Sequence, residues 1–148
     1  MELMRCARLA QVIAAPIVIR KAAIWDLDAI KTIADANRKE IGFVLRPVLM
    51  AGIARGEVHC AVDDGVVGFV HWHMRLDGWS TIYEIATAMP GKGIGTMLLH
   101  SVPKPLQLKC PEGSSANAFY ERTGGKLVAT VDGRKRRLNI WQWSFHHD

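Results

Sequence analysis

The residues best suited to chemistry stand in a glycine-rich segment in the middle of the 148-residue chain. Residues 80–88, STIYEIATA, read as a packed strand, and three glycines at alternate positions follow before apolar residues at helical spacing. Glycines let a backbone approach a ligand, and free N–H groups at a helix start favour anions such as phosphate. The segment therefore predicts a phosphate site, with contacts from Gly91, Lys92, Gly93, Ile94, Gly95 and Thr96.

Two widespread phosphate motifs do not fit this segment. A Walker A loop needs Ser or Thr after its Gly-Lys pair, but Gly93 follows Lys92 here. A dinucleotide fingerprint needs G-x-G-x-x-G, whereas residues 91–95 give G-x-G-x-G. The alternative interpretation is a glycine turn that has only a structural role and binds no phosphate.

Residues 90–95, PGKGIG, resemble motif A of the GNAT acyltransferase superfamily, R/Q-x-x-G-x-G/A. Residues 117–125, NAFYERTGG, resemble a second segment of the same superfamily, N-x-x-A/F-x-x-F/Y-Y-E-x-x-G-F. Pro90 stands where the superfamily has Arg or Gln, and Gly125 stands where it has Phe. The two segments occur in the superfamily's order, and the resemblance covers residues 16–148.

This resemblance implies a GNAT fold of the α/β (α+β) class, with a mixed, mostly antiparallel central sheet flanked by helices. It implies acetyl-CoA as the acyl-donor cosubstrate, with its pyrophosphate on the glycine turn. Asn117 would contact CoA, and Tyr120 would protonate the leaving thiolate. Glu84 would act as a base through water, and a backbone N–H near Ala86 or Thr87 would polarise the thioester.

In this superfamily the first two helices wall the acceptor site, and Asp26 is predicted to cap the first of them. The acceptor candidates are Asn37, Arg38, Lys39, Phe43 and Arg46; a solvated helix end with Phe43 in the core is the alternative. His71 and His73 share one strand face, where one could contact the acceptor as a base or relay, or both could simply be exposed. A metal site formed by His71, His73 and Glu84 is a further alternative, although no metal is expected.

Composition fits a soluble globular domain, with 49% hydrophobic and 22% charged residues and a net charge of +5. No run reaches the 18 or so apolar residues of a membrane span. Three scattered cysteines favour reduced thiols and a cytoplasmic location, and Cys110 is expected to be a buried residue rather than an acyl carrier. We expect an N-terminal extension over residues 1–15 and one domain over residues 16–148.

The sequence thus predicts an acetyl-CoA-dependent N-acetyltransferase that works by direct attack of an amine on a small molecule or protein, as a monomer or homodimer. One alternative acceptor is a nucleic-acid base, as in the phage Mom-like members of this fold. The basic turn at residues 134–137 would contact phosphates, and Trp141 and Trp143 would stack on bases. The other alternative is a non-catalytic acyl-CoA-binding module.

Overall fold

The computed structural model describes residues 16–144, so the predicted extension over residues 1–15 lies outside the described residues. Within this range the strands are β1 (Val18–Lys21), β2 (Val58–Val62), β3 (Val66–Met74), β4 (Ser80–Thr87), β5 (Leu106–Pro111), β6 (Lys126–Asp132) and β7 (Arg137–Trp143). The α-helices are α1 (Leu27–Ala36), α2 (Arg38–Ile41), α3 (Arg46–Ala54), α4 (Ile94–Ser101) and α5 (Ala116–Arg122), and a 3-10 turn at Ile24–Asp26 precedes α1. None of these helices is long and apolar enough to cross a membrane.

The strands form one sheet in the order β1-β2-β3-β4-β5-β7-β6. Every neighbouring pair is antiparallel except β4 and β5, which run parallel. The parallel pairing covers three residue pairs, from Ser80 opposite Leu106 to Ile82 opposite Leu108. Beyond those pairs β4 and β5 separate, and the mixed, mostly antiparallel sheet predicted from the sequence is confirmed.

A parallel pair requires a crossover, and α4 provides it between β4 and β5. Gly68 in β3 lets this helix lie close to the sheet. A Cβ atom at Gly68 would stand 3.0 Å from Ile94 Cγ2 and 3.1 Å from Leu98 Cδ1. The helix start that follows the glycine turn is therefore held in a fixed place against β3.

The sheet has a hydrophobic core on each face. Ile30, Leu49 and Phe69 belong to the core under α1 and α3, while the core under α4 and α5 includes Trp141 and Trp143. These two tryptophans are only 5% and 4% exposed. The stacking surface that we considered for nucleic-acid bases is therefore wrong, because both rings are used inside the protein.

The predicted capping role of Asp26 is also wrong. Its carboxylate accepts hydrogen bonds from the Arg20 guanidinium at 2.7 and 3.0 Å and from the Ala23 N–H at 2.7 Å. No side-chain bond from Asp26 caps α1. The bond from Arg20 holds the pKa of the buried Asp26 carboxyl below its usual value. Arg20, on β1, thus binds the carboxylate oxygens that would otherwise accept hydrogen bonds from the N-terminus of α1.

Candidate active site

A deep cleft opens where β4 and β5 separate. Its volume is about 1380 Å³, which is larger than the range of roughly 300–1,000 Å³ that is common for small-molecule sites. The walls come from the second half of β4, the glycine turn, the end of β5, α5 and α2. A space of this size and shape suits an extended ligand that passes between the two strands.

The glycine turn forms one end of the cleft. Gly91 and Gly93 have φ of +81° and +76°, in the left-handed region that favours glycine, and Gly93 directly precedes α4. A Cβ atom at either position would meet no atom within 4 Å, so the space above the turn is open. Gly95 is different, because a Cβ atom there would stand 3.1 Å from Phe119 Cζ and disturb the contact between α4 and α5.

The other predicted contacts of the turn differ in their exposure. Ile94 and Thr96 line the cleft, and the Ile94 side chain is also part of the core. Lys92 is exposed and does not line the cleft. The first N–H groups of a helix have no partner inside that helix, so the start of α4 offers donors toward the opening.

The free edge of β4 supplies further donors. Ala88 N donates to Val67 O of the neighbouring strand at 2.8 Å. Since donors alternate along an antiparallel strand, the Ala86 N–H also faces β3, while the Ile85 and Thr87 N–H groups face the cleft. Of the two predicted donors, the structure therefore places that of Thr87 on the open edge and that of Ala86 in the sheet.

A β-bulge in β4 sets the direction of the acidic side chain. His71 pairs with Glu84 and Trp72 pairs with Ile82, so Tyr83 has no partner in β3. The extra residue brings Tyr83 and Glu84 to the face of His71, with the Tyr83 ring 5.0 Å from the His71 ring. Glu84 lines the cleft, and its side chain is 12% exposed. No periodicity in the sequence indicated this bulge.

The two histidines bind different carboxylates. His71 Nδ1 lies 3.1 Å from Glu84 Oε1, whereas His73 Nδ1 lies 2.9 Å from Glu57 Oε1. Neither histidine lines the cleft, and His71 is buried behind Glu84. Across residues 16–144 no group of three His, Cys, Asp or Glu side chains is arranged to hold a metal ion. The structure therefore does not bring His71, His73 and Glu84 together as ligands.

Tyr120 belongs to α5, and its side chain lies in the wall of the same cleft as Glu84. It lines the cleft but is only 8% exposed, with its ring 5.9 Å from that of Trp143. Burial raises the pKa of the Tyr120 hydroxyl well above its usual value, and the nearby Cys110 adds to the rise. The phenol therefore keeps its proton at any working pH. Burial also raises the pKa of the Cys110 thiol, which agrees with its predicted structural role.

Asn117 does not line the cleft, although the resemblance assigned it to CoA. Its Oδ1 accepts hydrogen bonds from Asn139 Nδ2 at 3.0 Å and from Trp141 Nε1 at 2.8 Å. Its Nδ2 lies within 2.8–3.1 Å of three backbone carbonyls of the β5–α5 connection, those of Pro111, Glu112 and Ser114. The side chain thus connects α5 to β7, and it makes these bonds without any ligand.

The acceptor candidates are divided between the cleft and the surface. Asn37, Arg38 and Lys39 line the cleft, and Asn37 Nδ2 donates to Ile33 O at 2.8 Å. Phe43 does not line it, and at 66% exposure it is not in the core either. The residues that line the cleft without having been predicted include Tyr83, Lys109, Ser114 and Arg136. For Arg136, the basic turn was visible in the sequence, but its position across from α2 was not.

No protein-family model matches the sequence, and no curated protein matches it. Several solved structures, in contrast, match the fold of the chain. A GNAT-family acetyltransferase from Bacillus cereus superposes with a TM-score of 0.74 at 19% identity, covering 90% of this chain and 100% of its own. Ard1 from Thermoplasma volcanium gives 0.75 at 15% identity, with 89% and 100% covered. The chain has the GNAT fold.

A further GNAT-like match is a protein assigned as a streptothricin acetyltransferase from Bacillus anthracis, solved in complex with acetyl coenzyme A. It superposes with a TM-score of 0.73 at 15% identity and covers 89% of this chain and 100% of its own. The predicted fold and fold class are confirmed.

Proposed function

We propose that the protein is an acyl-CoA-dependent N-acyltransferase that transfers an acetyl group from acetyl-CoA to an amine. The observation that carries the proposal is the cleft between β4 and β5. An open glycine turn forms its end, and Glu84 and Tyr120 both lie on its walls. A protein of the same fold has been solved with acetyl coenzyme A.

The residues present fit an acyl-CoA. The turn at Gly91 and Gly93 has no atom where a side chain would stand, so phosphates could reach the N–H groups at the start of α4. The Ile85 and Thr87 N–H groups on the free edge of β4 are the donors for a thioester oxygen. When bound, acetyl-CoA supplies an activated acetyl thioester.

Two side chains carry out the two proton transfers of the proposed reaction. Glu84 is the group that takes the proton of the attacking amine, directly or through a water molecule. Tyr120 is the proposed general acid for the leaving sulfur: burial raises the pKa of its hydroxyl, which keeps the proton in place before transfer but also makes the phenol a weaker acid. We propose a primary amine on a small molecule or protein as the acceptor, and a cytoplasmic location.

A valine at Gly93 tests the donor site. Its side chain would fill the open space above the turn, and the left-handed backbone adds strain. We expect calorimetry to show no acetyl-CoA binding by Gly93→Val. The matched control is Gly78→Val, because Gly78 also has positive φ and open space but lies in the β3–β4 turn, away from the cleft.

Unchanged affinity in a folded Gly93→Val protein would remove the assignment of the turn. Turnover separates the enzyme from the non-catalytic module. We expect release of free CoA thiol from acetyl-CoA when a panel of primary amines is supplied. Binding of acetyl-CoA without thiol release on any acceptor would instead support the module.

A further inference from the structure

A single buried histidine stands behind the proposed base. His71 is 2% exposed, and its Nδ1 lies 3.1 Å from Glu84 Oε1. Its other ring nitrogen, Nε2, is buried and has no hydrogen-bond partner among residues 16–144. The ring therefore has one polar contact, and that contact is to the side chain that lines the cleft.

The surroundings of Nε2 determine which tautomer fits. An ionised carboxylate only accepts hydrogen bonds, so the proton of the 3.1 Å contact is on Nδ1. The Nε2 end lies against α3 and Val58. A Cβ atom at Gly52 would stand 2.8 Å from Nε2 and 2.9 Å from Val58 Cγ2. An N–H at this position would be buried without an acceptor, which costs more than leaving a lone pair there.

The other polar groups near the ring do not change this choice. The Tyr83 ring lies 5.0 Å away, and the His73 ring lies beyond it, at 6.4 Å from Tyr83. Glu57 accepts from His73 and from the Met74 N–H rather than from His71. Glu84 is thus the sole acidic contact of His71 within the described residues.

We propose that His71 is a positioning residue, which holds the Glu84 carboxylate toward the cleft by donating from Nδ1 while its ring stays neutral. This role rests on the proposed function, because Glu84 is the group that meets the acceptor amine. A neutral donor fixes the direction of the carboxylate and leaves its negative charge and its second oxygen for the amine. The Nε2 atom lies close to Gly52 and has no acceptor among the described residues.

Replacement of His71 by leucine tests the role. We expect His71→Leu to lower kcat by about 10–100-fold, since a displaced catalytic group costs this much. The KM for acetyl-CoA should stay unchanged. His71→Asn should recover most of the rate, because its amide nitrogen can occupy the place of Nδ1. His59→Leu is the matched control. His59 is a part-buried histidine bonded to Ser101 and Trp72, away from Glu84.

A double-mutant cycle separates positioning from general damage. If His71 acts through Glu84, His71→Leu should cause no further loss of kcat in a Glu84→Gln background. Independent, multiplying losses would overturn the proposal, as would an asparagine variant no faster than the leucine variant. Denaturant unfolding of each variant confirms that folded protein is compared.

The tautomer provides a readout that does not depend on activity. We expect ¹⁵N NMR at neutral pH to show His71 with a proton on Nδ1 and none on Nε2. A proton on Nε2 would overturn this inference whatever the enzyme does. Conversely, the expected tautomer in a protein that transfers no acyl group would leave the bond intact and count against the proposed function alone.

Discussion

In the proposed mechanism, Tyr120 keeps its proton until the thiolate leaves, and Glu84 takes a proton from the amine. Tyr120 is buried in apolar surroundings, and burial raises the pKa of its hydroxyl. Glu84 is turned into the cleft by the bulge at Tyr83 and is held there by His71. The proposed division of roles relies on these positions, and it does not require a charged partner for the tyrosine.

Replacing Tyr120 with phenylalanine isolates the hydroxyl. The ring contacts with Phe119 and Trp143 remain, so the free energy of unfolding should change by less than about 1 kcal/mol. We expect kcat to fall by about 10–100-fold, the lower part of the range for general acid catalysis, while acetyl-CoA affinity persists. Steady-state rates and calorimetry measure the two effects. A phenylalanine variant as fast as the parent would mean that the thiolate leaves without help from this residue.

The conformation and role of an individual residue could be predicted where its neighbours in the sequence determine them. The glycine turn was recognisable because positive φ is rare in other residues, and the structure has it at Gly91 and Gly93. The direction of the Glu84 side chain could not be predicted, because it depends on the unpaired Tyr83. A bulge of one residue is not detectable in the alternation of a short strand. Asn117 shares a helix with Tyr120, but its bonds are decided by β7, which comes later in the chain.

The helix α5 is attached to the sheet by hydrogen bonds as well as by packing. Trp143 Nε1 donates to Thr123 O at 3.2 Å, at the end of the helix. Near its start, Asn117 receives bonds from Asn139 and Trp141. Since α5 carries Tyr120, these bonds to β7 set the depth of the phenol in the cleft.

Asn117→Ala should therefore affect stability more than ligand binding. It leaves the Asn139 amide and the Trp141 indole N–H without their acceptor, and we expect a loss of about 1–3 kcal/mol in the free energy of unfolding. Acetyl-CoA affinity of the folded variant should stay within a few-fold of the parent. Urea unfolding measures the free energy of unfolding, and calorimetry measures the affinity for acetyl-CoA. A large loss of affinity with little loss of stability would restore the contact to CoA that the resemblance implied.

The elements around the glycine turn were predictable, since a packed strand, a glycine cluster and apolar residues at helical spacing are local signals. The strand predicted over residues 80–88 is observed as β4 at Ser80–Thr87, and the predicted helix after the glycines is α4. The helix α1 begins at Leu27, directly after Asp26 as predicted, but the missing capping bond could not be predicted, because Arg20 reaches the Asp26 carboxylate only when β1 is folded against the helix. The position of α2 across the cleft is likewise a property of the assembled sheet.

The whole molecule carries a net charge of +5, but the two tryptophans that follow its basic turn are not on the surface. Arg134, Lys135 and Arg136 are exposed at the β6–β7 turn, while Arg137 pairs with Asp132 at 3.1 Å. The tryptophans that follow are in the core. The basic turn therefore favours contact with polyanions in general, and Trp141 and Trp143 do not stack on a base beside it.

We expect duplex DNA to bind weakly at low salt and to be released near physiological salt. Changing residues 134–137 to glutamine should flatten the salt dependence by about 0.9 per lost phosphate contact. Fluorescence anisotropy over a salt series measures this slope. Binding that survives at physiological salt and depends on base sequence would bring the nucleic-acid acceptor back.

The short parallel ladder between β4 and β5 divides the sheet into two units that share few backbone hydrogen bonds. One unit is β1 to β4 and the other is β5, β7 and β6, and within residues 16–144 three residue pairs join them. Local opening at this junction breaks few amide bonds, so its hydrogen exchange should be faster than that of either unit's interior. A molecule bound between the strands would contact both units at once. Its binding free energy would then oppose the local opening of the β4–β5 junction. The free and the ligand-bound protein would therefore differ most in how independently the two units fluctuate.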